Sequence, residues 1–234
     1  MTLDNHNEVT EGVGGFPFAP PPSVIGLNSN SRYREHLRKV IAFYDSFAEE
    51  IARAPSFHLG YDTASRWLSM VAREAVEGPI HRILDLCCGQ GRSAALRTRN
   101  HHAKTFAVDI NLFQMMLARK DGAVPENRLA FCGADAHRLP LREEAVEIVI
   151  IEDALAHSDD RPAVLAEVHR VLRNRGCIVL TDVVERNGLS PAAWVEMLRA
   201  WAVAPLESLG SYAALVAEAH QITIFLSRAI LAFT

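Results

Sequence analysis

The chain has 234 residues, 49% of them hydrophobic and 22% charged, enough apolar material for one sizeable core and too little for two. Its formal net charge is −4, and its Lys and Arg form no basic stripe that would track a phosphate backbone, so no nucleic acid partner is expected. No apolar run approaches the roughly 20 residues of a membrane span, and the first 30 residues lack a basic-then-apolar leader, so no membrane association and a cytoplasmic location are expected.

Residues 1–30 combine Phe16-Pro17-Phe18-Ala19-Pro20-Pro21-Pro22 with Gly-rich and Asn-Ser stretches. They read as a flexible N-terminal tail, or alternatively as an arm anchored by Phe16 and Phe18 over the site or a partner subunit. Leu37, Val40, Ile41, Tyr44, Phe47, Ala48 and Ile51 recur at helical spacing and give an amphipathic helix over 33–52. It opens a helical lid or cap segment over 31–80, which goes on through Phe57-His58-Leu59-Gly60-Tyr61 to a second helix over 63–76. Tyr44 and Tyr61 suit core packing as well as a lid, because aromatic rings bury large areas wherever they fall.

The remaining segment, 81–234, opens on Ile83-Leu84-Asp85-Leu86-Cys87-Cys88-Gly89-Gln90-Gly91-Arg92-Ser93-Ala94. Ile83, Leu84 and Leu86 form a buried parallel strand, Gly89 and Gly91 supply positive φ angles in a turn, and a helix over 92–99 presents its N-terminal N–H groups there. The next strand, Thr105-Phe106-Ala107-Val108, ends in Asp109, about 18 residues beyond Gly91, where an acid can accept from both hydroxyls of a ribose. A helix over 112–120 follows, with Met115 and Met116 as core filler. The third strand, Leu129-Ala130-Phe131-Cys132, leads to Gly133-Ala134-Asp135-Ala136-His137.

Val146-Glu147-Ile148-Val149-Ile150-Ile151 reads as a fourth strand buried on both faces, ending in Glu152-Asp153-Ala154-Leu155-Ala156-His157-Ser158. Val164, Leu165, Val168, Val171 and Leu172 make one face of a helix over 161–173. The fifth strand, Cys177-Ile178-Val179-Leu180-Thr181, stops at Asp182. Helices over 191–202 and 206–219 and a strand over 222–226 follow. No Gly, Asn or Pro then marks a hairpin turn, leaving either a cramped last strand over 229–233 or an incomplete sheet edge that favours a homodimer.

Alternating strands and helices make this an α/β chain, a Rossmann-like doubly wound, mostly parallel sheet with helices on both faces and a ligand outside the carboxyl ends of the strands. Asp85, Asp109, Glu152, His157 and Asp182 lie at or beyond those ends and are expected to face one crevice. The four cysteines, at 87, 88, 132 and 177, read as buried free thiols. No zinc-ligand spacing is present and no metal is expected. His101-His102 reads as a solvated loop.

Gly89 to Ala94 also fits the G-x-G-x-x-A form of dinucleotide sites, so the glycines alone do not choose between a nicotinamide cofactor and another nucleoside. Asp85 inside the first strand and Asp135 after the third have no role in a dehydrogenase, and no Tyr-x-x-x-Lys pair occurs. With these residues in hand, the chain resembles the class I S-adenosylmethionine-dependent methyltransferases. It is most similar to their small-molecule branch, which includes glycine, sarcosine and natural-product methyltransferases. Asp85 to Gly91, Asp109, Asp135-Ala136 and Arg170-Val171-Leu172-Arg173-Asn174-Arg175-Gly176 carry the resemblance, which runs from about Phe43 to Phe225.

The resemblance implies S-adenosyl-L-methionine as cofactor. Asp85 would hold its methionine amine, directly or through water. Cys87, Gly89 and Gly91 would pack beside its methionine and ribose parts, and Asp109, with Ile110 next to it, would take the ribose hydroxyls. Asp135 and the Ala136 N–H would read the adenine, while Tyr44 and Glu152 complete the cofactor-binding set. Cys87 stands where the family often has its first glycine, and Asn174-Arg175 where Pro-Gly is usual. The segment after the fourth strand lacks the proline-aromatic loop with which nucleic-acid relatives grip a base. Related natural-product enzymes carry a histidine and an acid at the positions of His157 and Asp182, so these are the expected catalytic residues, with His157 as base and His58 as a second candidate. The implied reaction is in-line methyl transfer to a nitrogen, oxygen or carbon nucleophile of a small-molecule acceptor. The alternatives are a non-catalytic cofactor-binding partner subunit and a nicotinamide-dependent oxidoreductase.

Overall fold

Five apolar runs become strands because each can be covered on both faces. They are β1 (Arg82–Leu86), β2 (Lys104–Asp109), β3 (Leu129–Gly133), β4 (Val146–Glu152) and β5 (Leu172–Asp182), joined by a short β6 (Leu226–Arg228). The sheet order is β3-β2-β1-β4-β5-β6, and every pairing is parallel. The computed structural model describes residues 31–46, 61–118, 127–182, 190, 192, 195–196, 204, 208, 210–211, 214–215 and 226–228. The helices whose bounds are described are α1 (Ser31–Ser46), α2 (Tyr61–Ala75), α3 (Arg92–His101), α4 (Leu112–Ala118) and α5 (Arg161–Val171), with a 3-10 turn at Leu155–His157.

Successive strand side chains point to opposite faces, so the alternation within each run divides the core in two. Leu84, Leu86, Val149, Ile151, Ile178 and Leu180 pack with Val164, Leu165 and Val168 of α5. Ile83, Ile148, Ile150 and Val179 pack on the other face with Leu68 and Ala72 of α2. Asp85 shares its face with Ile83, and the register Asp85↔Ile150 puts Glu152 on that same face one pleat further along β4. Asp182 shares the opposite face with Ile178 and Leu180. This parity decides which helix each acid meets.

The α5 helix starts where Asp160 accepts a hydrogen bond from the Ala163 N–H at 3.2 Å and Pro162 occupies the first turn. It stops earlier than the predicted 173. Leu172 still donates its N–H to the Val168 carbonyl but takes extended angles, φ −79° and ψ 134°, because it pairs with Val146. The β4–β5 register then slips between Val146 and Ile148, and Arg175 turns through φ 62°. That left-handed residue occupies the place where Pro-Gly is usual in the family.

At the sheet's far end Glu147, 4% exposed, is the one charged side chain of β4's buried run. It accepts hydrogen bonds from the His81 and Arg82 N–H groups at 3.0 and 2.6 Å and pairs with Arg82 and Arg173. Three local expectations are corrected. Only Cys177 is buried, while Cys87, Cys88 and Cys132 are partly exposed. His101 closes α3 and is half-buried rather than solvated. Leu226, expected to end a strand over 222–226, lies in the short parallel β6, which runs on to Arg228. The tail, the His58 turn, most of the two helices after β5 and residues 229–233 lie outside the described residues. Among the described residues no helix is long and apolar enough to cross a membrane, and no cluster of three or more His, Cys, Asp or Glu could hold a metal.

Candidate active site

The turn after β1 is built from three left-handed residues, Cys87, Gly89 and Gly91, with φ of 58°, 54° and 69°. Cys88 donates its N–H to the Val108 carbonyl at 3.1 Å and Gly91 donates to the Cys88 carbonyl at 2.8 Å, so the turn is anchored to β2 and closed on itself. Gly91 then caps α3. A Cβ built on Gly89 would meet nothing within 4 Å, so the turn opens outward as a cradle. The Gly89 N–H donates to Asp109 Oδ2 at 2.7 Å and the Asn111 N–H to Oδ1 at 2.8 Å. Burial pushes the Asp109 carboxyl above the usual carboxylate range, against the pull of these backbone donors.

Asp85 and Glu152 meet a residue that sequence reading passed over. Arg97 of α3 is fully buried; its Nη1 donates to Asp85 Oδ2 at 2.5 Å and its Nη2 pairs with Glu152 Oε1. Ser93, one helical turn earlier, donates its hydroxyl to Glu152 Oε2 at 2.9 Å. Burial raises the Asp85 pKa and Arg97 opposes that shift. The signal was available: positions 93, 94, 97 and 98 form α3's buried stripe, and an arginine there needs a carboxylate.

Beyond the strand ends lies a cleft of about 660 Å³, its open mouth included. Cys87, Asp109, Ile110, Asp135, Ala136 and His157 line it, and Leu37 and Val40 of α1 cover it. Asp135 receives hydrogen bonds from the Tyr33 hydroxyl and from the His137 backbone N–H and Nδ1–H at 2.9 and 2.8 Å. His137 Nε2 meets the Ser158 hydroxyl at 3.1 Å. Burial alone would raise Asp135, but the His137 and Tyr33 donors bring its carboxyl below the ordinary value. Burial likewise works to lower His137, and Asp135 reverses it, raising the imidazole.

α1 is pinned across the cleft along its length. Tyr33 reaches Asp135, and His36 Nε2–H donates to the His157 carbonyl at 2.6 Å. Asn111 donates to Asp45 and Gln114 to the Tyr44 carbonyl, both at 2.9 Å. The Tyr44 hydroxyl lies 2.8 Å from His157 Nε2, and the two rings meet edge to face with centroids 5.2 Å apart. Burial and the nearby Asp109 charge push the Tyr44 phenol up, so it stays protonated and can donate to His157 Nε2. Asp182, 2% exposed, accepts from the Ala156 N–H at 2.7 Å and so fixes the turn that carries His157 from beneath.

Of the residues singled out in the sequence, Cys87, Asp109, Ile110, Asp135, Ala136 and His157 share the cleft wall. Asp85, Gly89, Gly91, Tyr44, Glu152 and Asp182 do not line it. Besides Arg97, sequence reading missed Tyr33, His36 and His137, which reach their partners from more than 100 residues away or as an unremarked neighbour of Asp135.

Residues 84–180 match the methyltransferase domain family. The chain is 29% identical over 203 residues to methyltransferase GfsG of Streptomyces halstedii, covering 78% of this chain and 72% of that protein. It is 25% identical over 158 residues to dimethylglycine N-methyltransferase of Parasynechococcus marenigrum, covering 62% of this chain and 56% of that one. Phosphoethanolamine N-methyltransferase 2 of Haemonchus contortus, solved in complex with S-adenosyl-L-methionine, superposes with a TM-score of 0.61 at 16% identity, over 77% of this chain and 44% of that one. Over its sheet core, residues 84–180, the chain resembles the class I S-adenosylmethionine-dependent methyltransferases. S-adenosylmethionine is the cofactor that this resemblance implies, and the chain spans about half the length of several curated methyltransferases it matches. The residues fit that group. The Gly89 cradle opens outward, and the cleft combines apolar walls with Asp109 and Asp135, whose free lone pairs suit hydroxyl and amino donors.

Proposed function

We propose that the chain transfers the methyl group of S-adenosylmethionine to a small-molecule acceptor held beside His157. The observation that carries this reading is that His157 lines the cleft and is held from behind by the Tyr44 hydroxyl, 2.8 Å from its Nε2. The cofactor brings a methyl on a sulfonium, which is already electrophilic, so the chain's task is to hold an acceptor lone pair in line and to take any proton the acceptor carries. His157 Nε2 takes that proton once the acceptor displaces the Tyr44 hydroxyl that is hydrogen-bonded to it. Asp182 acts through the 155–157 turn, keeping His157 in position. Asp109 takes the ribose hydroxyls, Asp135 with the Ala136 N–H reads the adenine, and Asp85 with Glu152 faces the methionine ammonium. Ile110, Cys87, Gly89 and Gly91 shape the walls.

The relatives support a small acceptor, and amines, hydroxyls and carbon acids all suit a histidine base. The test is turnover with methyl-labelled cofactor over a panel of those three acceptor classes. For His157→Ala, turnover on any acceptor found falls about 100-fold or more, while S-adenosylhomocysteine affinity stays within about threefold. Full turnover in that variant removes His157 as base.

A further inference from the structure

Arg97 sits where a helix packed on a sheet needs only bulk. Its neighbours on α3's buried stripe are Ser93, Ala94 and Thr98, and a leucine there would fill the space with no charge to desolvate. Buried ion pairs add little to stability over well-packed apolar groups of similar volume. Its presence therefore points to what it touches. It spans two acids on neighbouring strands, Asp85 at 2.5 Å and Glu152, with Ser93 holding the second oxygen of Glu152 at 2.9 Å. Two carboxylates on one cation leave one negative charge at the β1–β4 strand ends. Glu152 keeps 18% of its side chain exposed there, while Asp85 and Arg97 are closed off at 4% and 0%.

We propose that Arg97 is a positioning residue for the amino-acid end of the cofactor: its fork fixes Asp85 and Glu152 as an ionised pair whose remaining charge receives the cofactor's ammonium. The inference rests on the cofactor role given above to Asp85 and Glu152. A guanidinium reaches both acids at once in a fixed plane, which a lysine ammonium cannot do.

Calorimetric titration with two ligands separates this role from a structural one. S-adenosylhomocysteine carries the amino-acid end, and 5′-methylthioadenosine lacks it but fills the same nucleoside site. In Arg97→Met, S-adenosylhomocysteine binding weakens at least about tenfold, the size expected for losing charge-assisted hydrogen bonds, while methylthioadenosine binding stays within about threefold. Equal loss for both ligands, or loss for neither, overturns the proposal and leaves the cofactor site standing. If Arg97→Met does not fold, Arg97→Lys decides: the ratio of the two affinities falls at least about threefold, and an unchanged ratio overturns the proposal. Wild-type protein that binds neither ligand would overturn the cofactor reading itself, a result distinct from either of these.

Discussion

Cys87 is the residue whose backbone and side chain disagree. Its φ of 58° lies where a Cβ costs about 1–2 kcal/mol, so Cys87→Gly is expected to raise stability, by up to about 1 kcal/mol after glycine's greater unfolded-state entropy is subtracted. The urea midpoint measures it, and a fall in midpoint would show that the thiol's packing outweighs the strain. Its neighbours argue against a redox role: burial and then the Asp109 charge push the Cys87 thiol well above its usual range, which leaves it unreactive. Asp109 and Asp135 were legible in the sequence because each follows a short apolar strand by a fixed offset. Tyr33 was not, since its partner lies across the fold and nothing local marks the pairing, and Arg97 was passed over although its place on α3's buried stripe called for a carboxylate. Asp85, expected to face the crevice, does not line it. The strand's parity turned it toward α3, where Arg97 waits.

At the scale of elements, β4 is buried without a break from Val146 to Ile151. Ile150 is fully buried between β1 and β5, so Ile150→Ala is expected to cost about 2–5 kcal/mol of unfolding free energy by denaturant titration. A loss below about 1 kcal/mol would mean that the α2 face repacks. The apolar run that made β4 legible concealed Glu147, whose four partners include arginines of β1 and β5. Glu147→Ala leaves the His81 and Arg82 N–H groups without their acceptor, while the part-exposed Arg82 and Arg173 side chains turn to water, and is expected to cost about 1–3 kcal/mol. The α5–β5 junction was misplaced for a related reason. Leu172 satisfies the helical apolar period, and only its pairing with Val146 turns it into strand. Helix α1, by contrast, was foreseen as an amphipathic helix from its period, although the polar links that seat it on Asp135, His157 and Gln114 could not be.

Across the whole molecule, charge pairing sets the response to acid. Burial opposes ionisation of Glu147, Glu167 and Asp135, yet their hydrogen-bonded partners hold all three below their ordinary values. A carboxyl depressed in the folded state contributes stability that is present above its unfolded pKa and lost as pH falls through the folded one. Unfolding free energy is therefore expected to hold down to about pH 4.5 and to decline below it. His137 runs the other way. Asp135 raises its folded pKa, so its contribution is complete below the unfolded value of about 6.5 and fades as pH rises past the folded one. Urea midpoints from pH 3 to 8 would show both limbs, and a midpoint that climbs as pH falls below 4.5 would contradict the carboxylate pairing.

The measurement that bears most directly on the proposed site is calorimetric titration of the chain and of Asp109→Ala with S-adenosylhomocysteine, with NADH as the control ligand. The wild-type chain is expected to bind one equivalent of the homocysteine product and no NADH. Asp109→Ala, having lost the carboxylate held by Gly89 and Asn111, is expected to bind it at least about tenfold more weakly. Binding of NADH in place of the product, or undiminished binding by Asp109→Ala, would contradict the assignment of the cleft.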